Sequence, residues 1–180
     1  MKILKTHYEK DIFPNREPSD VDFKDRITGK CIMVDSEGKI ALVGTTVHYI
    51  YTLPGGGVDD SEKIEEGIKR EVKEETGFDV EIIEMLGVID DYRNREKKHC
   101  ISYCAVANII GEKSDINLTD SEKENGLHVK WLTPEDAISL LQEEYNKVKK
   151  GEIEYYNTAF NVVRDFEFLK KYCRGEEEKE

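Results

Sequence analysis

GGVDDSEKIEEGIKREVKEETGF, residues 56 to 78, contains a proline-free stretch, Glu62 to Thr76, with acids where apolar residues belong. Ser61, or Asp59 or Asp60, can cap its start, and Gly77 stands where a helix end favours a left-handed residue. At about 100° per residue, with Ile64 at 0°, Ile68 falls near 40° and Val72 near 80°, which defines a core-facing stripe. Glu75 falls near 20° and Glu71 near −20°, inside or beside that stripe, and Glu74 near −80°, on its flank. A desolvated carboxylate costs several kcal/mol, in rough terms, unless something positive compensates it. Lys63, Lys69 and Lys73 lie elsewhere on the wheel, so a bound divalent cation is the economical compensation. An acidic helix taken alone ordinarily has a solvated face with pairs such as Glu66–Arg70. The wider pattern decides between these readings.

Outward from this helix, the chain alternates strand and helix signals. Residues 1–8 predict an opening strand, followed by a polar connection from Glu9 to Lys24 that contains Pro14 and Pro18. Cys31–Val34 and Ile40–Val43 predict a hairpin around Asp35-Ser36-Glu37-Gly38. Val47–Leu53 predicts a third strand, stopped by Pro54 and the triplet Gly55-Gly56-Gly57. Strands are expected at Asp79–Val88 and Cys100–Ile110, separated by a polar stretch containing Tyr92, Arg93 and Arg95. Glu112 to Gly126 reads as a long loop. Val129-Lys130-Trp131 reads as a strand, and Thr133-Pro134 as a helix start. A closing helix, Thr158 to Tyr172, is expected to bury Phe160, Val163, Phe166 and Leu169. The expected fold is α/β (α+β), a mixed sheet between helices.

The chain has 180 residues, which suits one domain over 1–173, with an acidic tail, 174–180, too charged to pack. With 38% hydrophobic and 37% charged residues, a core is available beneath a very polar surface. No apolar run reaches the roughly 20 residues of a spanning helix, and the N-terminus lacks a signal peptide's apolar stretch. Four scattered cysteines, Cys31, Cys100, Cys104 and Cys173, read as reduced thiols of a cytoplasmic protein. The net charge of −12 disfavours coating of nucleic acid or anionic membrane. A small phosphorylated substrate stays compatible if divalent cations screen the repulsion.

The wider pattern is Gly56, Glu62, Arg70, Glu71, Val72, Glu74, Glu75, Gly77 and Phe78, with fixed spacing and no insertion. These nine positions resemble the signature box of the Nudix hydrolase family. The flanking strands, Trp131-Leu132-Thr133-Pro134-Glu135 and the closing helices resemble that fold, so the likeness extends over almost the whole chain. The resemblance implies an α/β/α sandwich that hydrolyses a nucleoside diphosphate linked to another moiety, with Mg²⁺ or Mn²⁺ as cofactor. By the matching positions, Glu71 and Glu75 are implied as principal metal ligands, Glu74 as a further ligand or water activator, and Gly55 as a backbone-carbonyl ligand. Arg70 and Glu62 are implied as the pair that orients the catalytic helix. Oxygen-rich carboxylate sites suit such hard cations. Family members often draw another acid from the loop before the Trp-containing strand, here Glu122 or Glu124, with Glu124 preferred.

On the substrate side, Tyr8, Tyr49, Tyr51 and Tyr92 are candidates to stack a base, and Arg16, Arg26, Arg93 and Arg95 to hold phosphate. Neither the downstream proline of ADP-ribose-cleaving members nor the tyrosine spacing of dinucleoside polyphosphate cleavers is present, and the expected partner is a small-molecule nucleotide. The sequence leaves monomer and homodimer equally open. His99, Cys100 and Cys104 do not complete a zinc set and read as strand residues. P-loop, zincin, Rossmann and serine-elbow motifs are absent. Two alternatives accompany the hydrolase reading. A silent nucleotide-sensing domain would show eroded box acids or an attached DNA-binding module, and a prenyl-diphosphate isomerase would share the box.

Overall fold

The computed structural model describes residues 1–15, 21–153 and 155–177. Its elements run β1 (Ile3–Tyr8), α1 (Glu9–Ile12), β2 (Lys24–Val34), β3 (Ile40–Thr45), β4 (Tyr51–Thr52) and α2 (Ile64–Thr76). They continue with β5 (Asp79–Arg93), β6 (Lys98–Ile110), α3 (Asp120–Glu124), β7 (Leu127–Leu132), α4 (Pro134–Lys149) and α5 (Tyr156–Glu177). The strands form one sheet in the order β1-β5-β6-β2-β3-β4, with β7 on β3. It is mixed: β1 lies parallel to β5 and β2 parallel to β6, while β5 and β6 are antiparallel.

Helices cover both faces, giving the expected α/β/α sandwich. Burial on both sides explains why the Cys31–Val34 end of β2 reads as a continuous apolar run. Cys31 and Met33 join Ile68 and Val72 of α2 in one cluster. Ile32 points the other way, into a cluster with Leu141 of α4 and Phe166, Phe168 and Leu169 of α5. Helix α2 sits close to the sheet because Gly29 lacks a side chain; a Cβ there would run into Ile68.

The sheet opens at its centre. Strands β2 and β3 are in register at one pair only, Val34 and Ile40. Residues 54–58 fill the gap by bonding to β2: Cys31 N–H donates to the Pro54 carbonyl (3.0 Å) and Gly29 N–H to that of Gly56 (2.9 Å). Val58 N–H returns a bond to the Ile27 carbonyl at 3.2 Å. Gly55, with φ of 122°, could not carry a side chain, because a Cβ would meet the Gly29 carbonyl.

Several boundaries differ from the sequence expectation, each for a physical reason. Helix α2 starts after Lys63, which has no side-chain cap, because Glu62 N–H closes a turn onto the Asp59 carbonyl. Its other end is as expected, with Gly77 at φ of 79°. Only Tyr51–Thr52 of the expected third strand pairs, since the chain turns at Tyr49, whose φ is 51°. The polar stretch holding Tyr92 and Arg93 belongs to β5, because Tyr92 stacks on His99 and buried Arg93 is paired with Asp91. Two short helices, α1 and α3, interrupt connections expected to be loops, and α3 is capped by Thr119, which accepts from Glu122 N–H. Residues 174–177, expected in the acidic tail, continue α5: extending an existing helix closes a further hydrogen bond without a new nucleus. Residues 178–180 lie outside the described residues, as does Arg16. Phe160, Val163, Phe166 and Leu169 are all buried, as expected.

Candidate active site

Helix α2, the 54–58 loop and β2 meet at the gap in the sheet. Glu75 is 8% exposed, and its Oε2 accepts from Gly55 N–H at 2.7 Å. Desolvation pushes its carboxyl up to about 7, against the pull of Lys30 and the Gly55 bond. Glu71 lies one turn back against Gly56, where a Cβ would strike its carboxylate. Burial raises its pKa too, partly offset by Arg70. Across the loop, the Lys30 ammonium donates to the Gly55 carbonyl at 2.5 Å. Burial lowers the Lys30 pKa, while Asp165, Glu75 and Glu71 pull it back up. The Gly55 peptide is therefore gripped from both sides, by a carboxylate at N–H and an ammonium at C=O.

Arg70 organises the acids. Its Nε donates to Glu62 Oε1 (2.8 Å) and Nη2 to Glu62 Oε2 (3.0 Å), a bidentate fork. Nη2 also reaches the Gly57 carbonyl at 2.9 Å, tying helix to loop. Nη1 serves Glu71 at 2.7 Å and Glu74 at 3.2 Å. Glu74, with a side chain 38% exposed, is the most open of the three acids. Of the two loop candidates, it is Glu122 whose charge acts on Glu75. Glu122 stands in the first turn of α3, where its carboxylate accepts from Thr119 N–H at 2.7 Å, and Glu124 ends the same helix.

Two chambers open from this centre and share Lys30, Gly55 and Asn161. One, of about 240 Å³, is bordered by His48, Ile50, Leu127 and Glu75. The other, of about 230 Å³, lies under α5 and is rich in arginine and lysine. Beneath it runs a buried polar layer: Thr28 and Ser102 hydroxyls share a bond of 2.7 Å, and Asp165 accepts from Leu53 N–H at 3.1 Å. Sequence reasoning missed Lys30, Asp91, Arg164 and Asp165. One signal was available, a charged pair inside the apolar run Val162-Val163-Arg164-Asp165-Phe166.

Residues 25–155 match the family model described as the NUDIX domain. The chain belongs to the Nudix family. Membership carries the reaction class, hydrolysis of phosphorus-containing anhydrides. An ADP-ribose pyrophosphatase of Methanocaldococcus jannaschii is 30% identical over 95 residues, which cover 51% of this chain and 55% of the archaeal one. Diphosphoinositol polyphosphate phosphohydrolase 3-alpha of Mus musculus is 26% identical over 121 residues, 67% of this chain and 70% of the mouse one. The solved Nudix hydrolase of Nitrosomonas europaea superposes with a TM-score of 0.60 at 15% identity, covering 84% of this chain and 90% of its own, a likeness of fold.

Among the described residues of this Nudix chain, no three acidic, imidazole or thiol groups form a ready-made cage. The residues present nevertheless suit a hard divalent cation. Glu75 accepts from Gly55 N–H, Glu71 lies against Gly56, the candidate ligand atoms are all oxygen, and both carboxyls are raised by burial, the condition a bound cation would relieve. The Gly55 oxygen has a second lone pair beside the one Lys30 uses.

Of the substrate-side candidates, Arg26 and Arg93 line the basic chamber. Arg95 instead lies over the Tyr156 ring at 5.6 Å. Tyr8, Tyr92 and His99 stack in a column, with centroids 5.3 and 4.3 Å apart. Tyr51 O–H and His128 Nε2 are 3.2 Å apart, and Tyr49 is 76% exposed. Cys31, Cys100 and Cys104 are free, buried thiols; burial pushes that of Cys31 up to about 12. No described helix is long and apolar enough to cross a membrane.

Proposed function

We propose that the chain is a Mg²⁺- or Mn²⁺-dependent pyrophosphohydrolase cleaving the phosphoanhydride of a nucleoside diphosphate linked to a second moiety. One observation supports this reading: Glu75, desolvated on an otherwise apolar helix side, and Lys30 meet at Gly55, with the Glu71 carboxylate beside Gly56. Glu71, Glu75 and the Gly55 carbonyl would hold the metal, with Glu74 as a further ligand or proton acceptor and Glu122 or Glu124 as an outer contributor. The metal would supply charge neutralisation and water of lowered pKa. The protein's own groups do the rest. Arg70, fixed by Glu62, sets the rotation of α2. Lys30 supplies a desolvated positive charge where the diphosphate enters, and Glu74 is open enough to accept a proton from water. The two chambers on either side of Lys30 receive the two halves of the substrate.

The name of the archaeal relative supports a nucleoside diphosphate-linked substrate, and free thiols fit the reducing cytoplasm. The test is a panel of nucleoside diphosphate and triphosphate compounds, nucleotide sugars and dinucleotides, scored for products with Mg²⁺ and with Mn²⁺. Cleavage to a nucleoside monophosphate and a phosphorylated second product is expected. Isomerised or unchanged compounds across the panel would overturn the reading.

A further inference from the structure

The chamber under α5 is lined by five cations, Arg26, Lys30, Arg93, Lys98 and Arg164, and by no carboxylate. In a chain of net charge −12, such a concentration needs a reason. Three of the five have partners behind the wall. Arg93 forks onto Asp91 through Nε (2.5 Å) and Nη2 (3.2 Å), then reaches Asn157 at 3.1 Å and Asn161 at 3.0 Å. Arg164 donates to Asp165 at 2.7 Å, and Lys98 to Glu96 at 3.1 Å. Arg93 commits four of its five N–H donors to these partners and serves as scaffold. Among the described residues, Arg26 and Lys30 have no carboxylate in an ion pair, so the chamber keeps a positive excess. Arg26 stands exposed on β2 beside the box loop, its Nη2 near Gly57. The wall formed by Asn157, Asn161 and Arg164 belongs to α5, which lies beyond the residues matched by the family model. The chamber is thus closed by a part of the chain that the family pattern does not specify.

We propose that this chamber receives a phosphate of the substrate other than the two of the scissile anhydride, with Arg26 and Lys98 as its specificity-determining contacts. The substrate's second moiety is then itself phosphorylated, and the uncharged end occupies the chamber beside His48 and Ile50. The inference rests on the reading of Lys30 and Gly55 as the seat of the anhydride. A neutral sugar would leave the positive excess unmatched in a partly desolvated pocket, which is costly. A phosphate monoester supplies the charge and acceptor oxygens that arginine and lysine favour.

The experiment compares ADP-ribose with its analogue carrying one further phosphate monoester on the distal ribose. Wild-type kcat/KM is expected to favour the phosphorylated compound by about 30-fold or more, at roughly tenfold per charge-assisted contact. In Arg26→Gln combined with Lys98→Gln, both partly solvent-facing sites, that ratio falls at least tenfold, through KM. Calorimetric titration of the metal-free proteins with inorganic tripolyphosphate should show at least tenfold weaker binding in the double variant. A wild-type ratio near one, or a ratio and affinity untouched by the double variant, overturns the inference alone. Failure to hydrolyse either compound while other members of the panel are cleaved also overturns the inference alone, and failure across the panel overturns the reading of the site and the inference with it.

Discussion

The two faces of the sheet bury charge in opposite ways. Under α2, Glu71 and Glu75 are desolvated, and their positive neighbours are too few to bring either carboxyl down to its ordinary range. Under α5, Arg93 forks onto Asp91 and Arg164 donates through Nε to Asp165, so each carboxylate is matched to a guanidinium. Paired charges give a rigid scaffold, whereas under-compensated ones hold electrostatic strain that a guest cation can discharge. The acid side is left under-compensated beside a scaffold in which Arg93 and Arg164 are each paired.

Breaking the acid side should have the largest effect. Glu71→Gln or Glu75→Gln should lower metal-dependent turnover by at least about 10³-fold with unchanged circular dichroism. Wild-type rates in either variant would remove that residue from the metal site. Breaking the basic side should be felt in folding instead. Asp165→Ala strands a buried guanidinium and should cost about 3–5 kcal/mol in urea unfolding. A loss below about 1 kcal/mol would show that the pairing under α5 is not structural.

The contrast sharpens with pH. A carboxyl whose folded value is raised binds its proton more tightly in the native state than in the unfolded chain. Between the ordinary 4.5 and about 7, ionisation of Glu75 therefore removes stability as pH rises. In chelator at pH 8, Glu75→Gln should exceed the wild type by on the order of 2–3 kcal/mol, seen as a higher Tm. The gap should close as pH falls below about 4.5. A variant less stable than wild type at pH 8 would mean the carboxylate is already compensated. The smallest effect belongs to charge outside both layers: the exposed Lys73–Asp79 pair, at 2.9 Å, should contribute less than about 1 kcal/mol in a double-mutant cycle.

The acid side was legible in the sequence because helical geometry is local. The angular positions of Glu71 and Glu75 follow from 3.6 residues per turn, and on the helix that carries Ile68 and Val72 the structure buries Glu75 and half-buries Glu71. Arg70 and Glu62, eight residues apart, meet because the turn at Asp59–Glu62 before the helix folds Glu62 back onto the guanidinium. The basic side was not legible, since Lys30, Asp91 and Asp165 come together through parallel pairing of β2 with β6 and the packing of α5, contacts that no local spacing encodes. Arg93 shows the cost: its segment was assigned to a loop for its polarity, although a fully paired charge can sit inside a strand. Glu122 and Glu124 lie on a short helix, α3, rather than in the loop that the polarity of residues 112–126 predicts.

Gly29 and Lys30 are neighbours in β2 whose positions fall on opposite sides of the sheet. The first admits the isoleucine that seats α2; the second carries the ammonium that borders both chambers. A dipeptide therefore acts as a common datum from which the heights of both layers are measured. Shifting that strand by a single residue would exchange the two roles, lifting the helix and hiding the cation in one stroke.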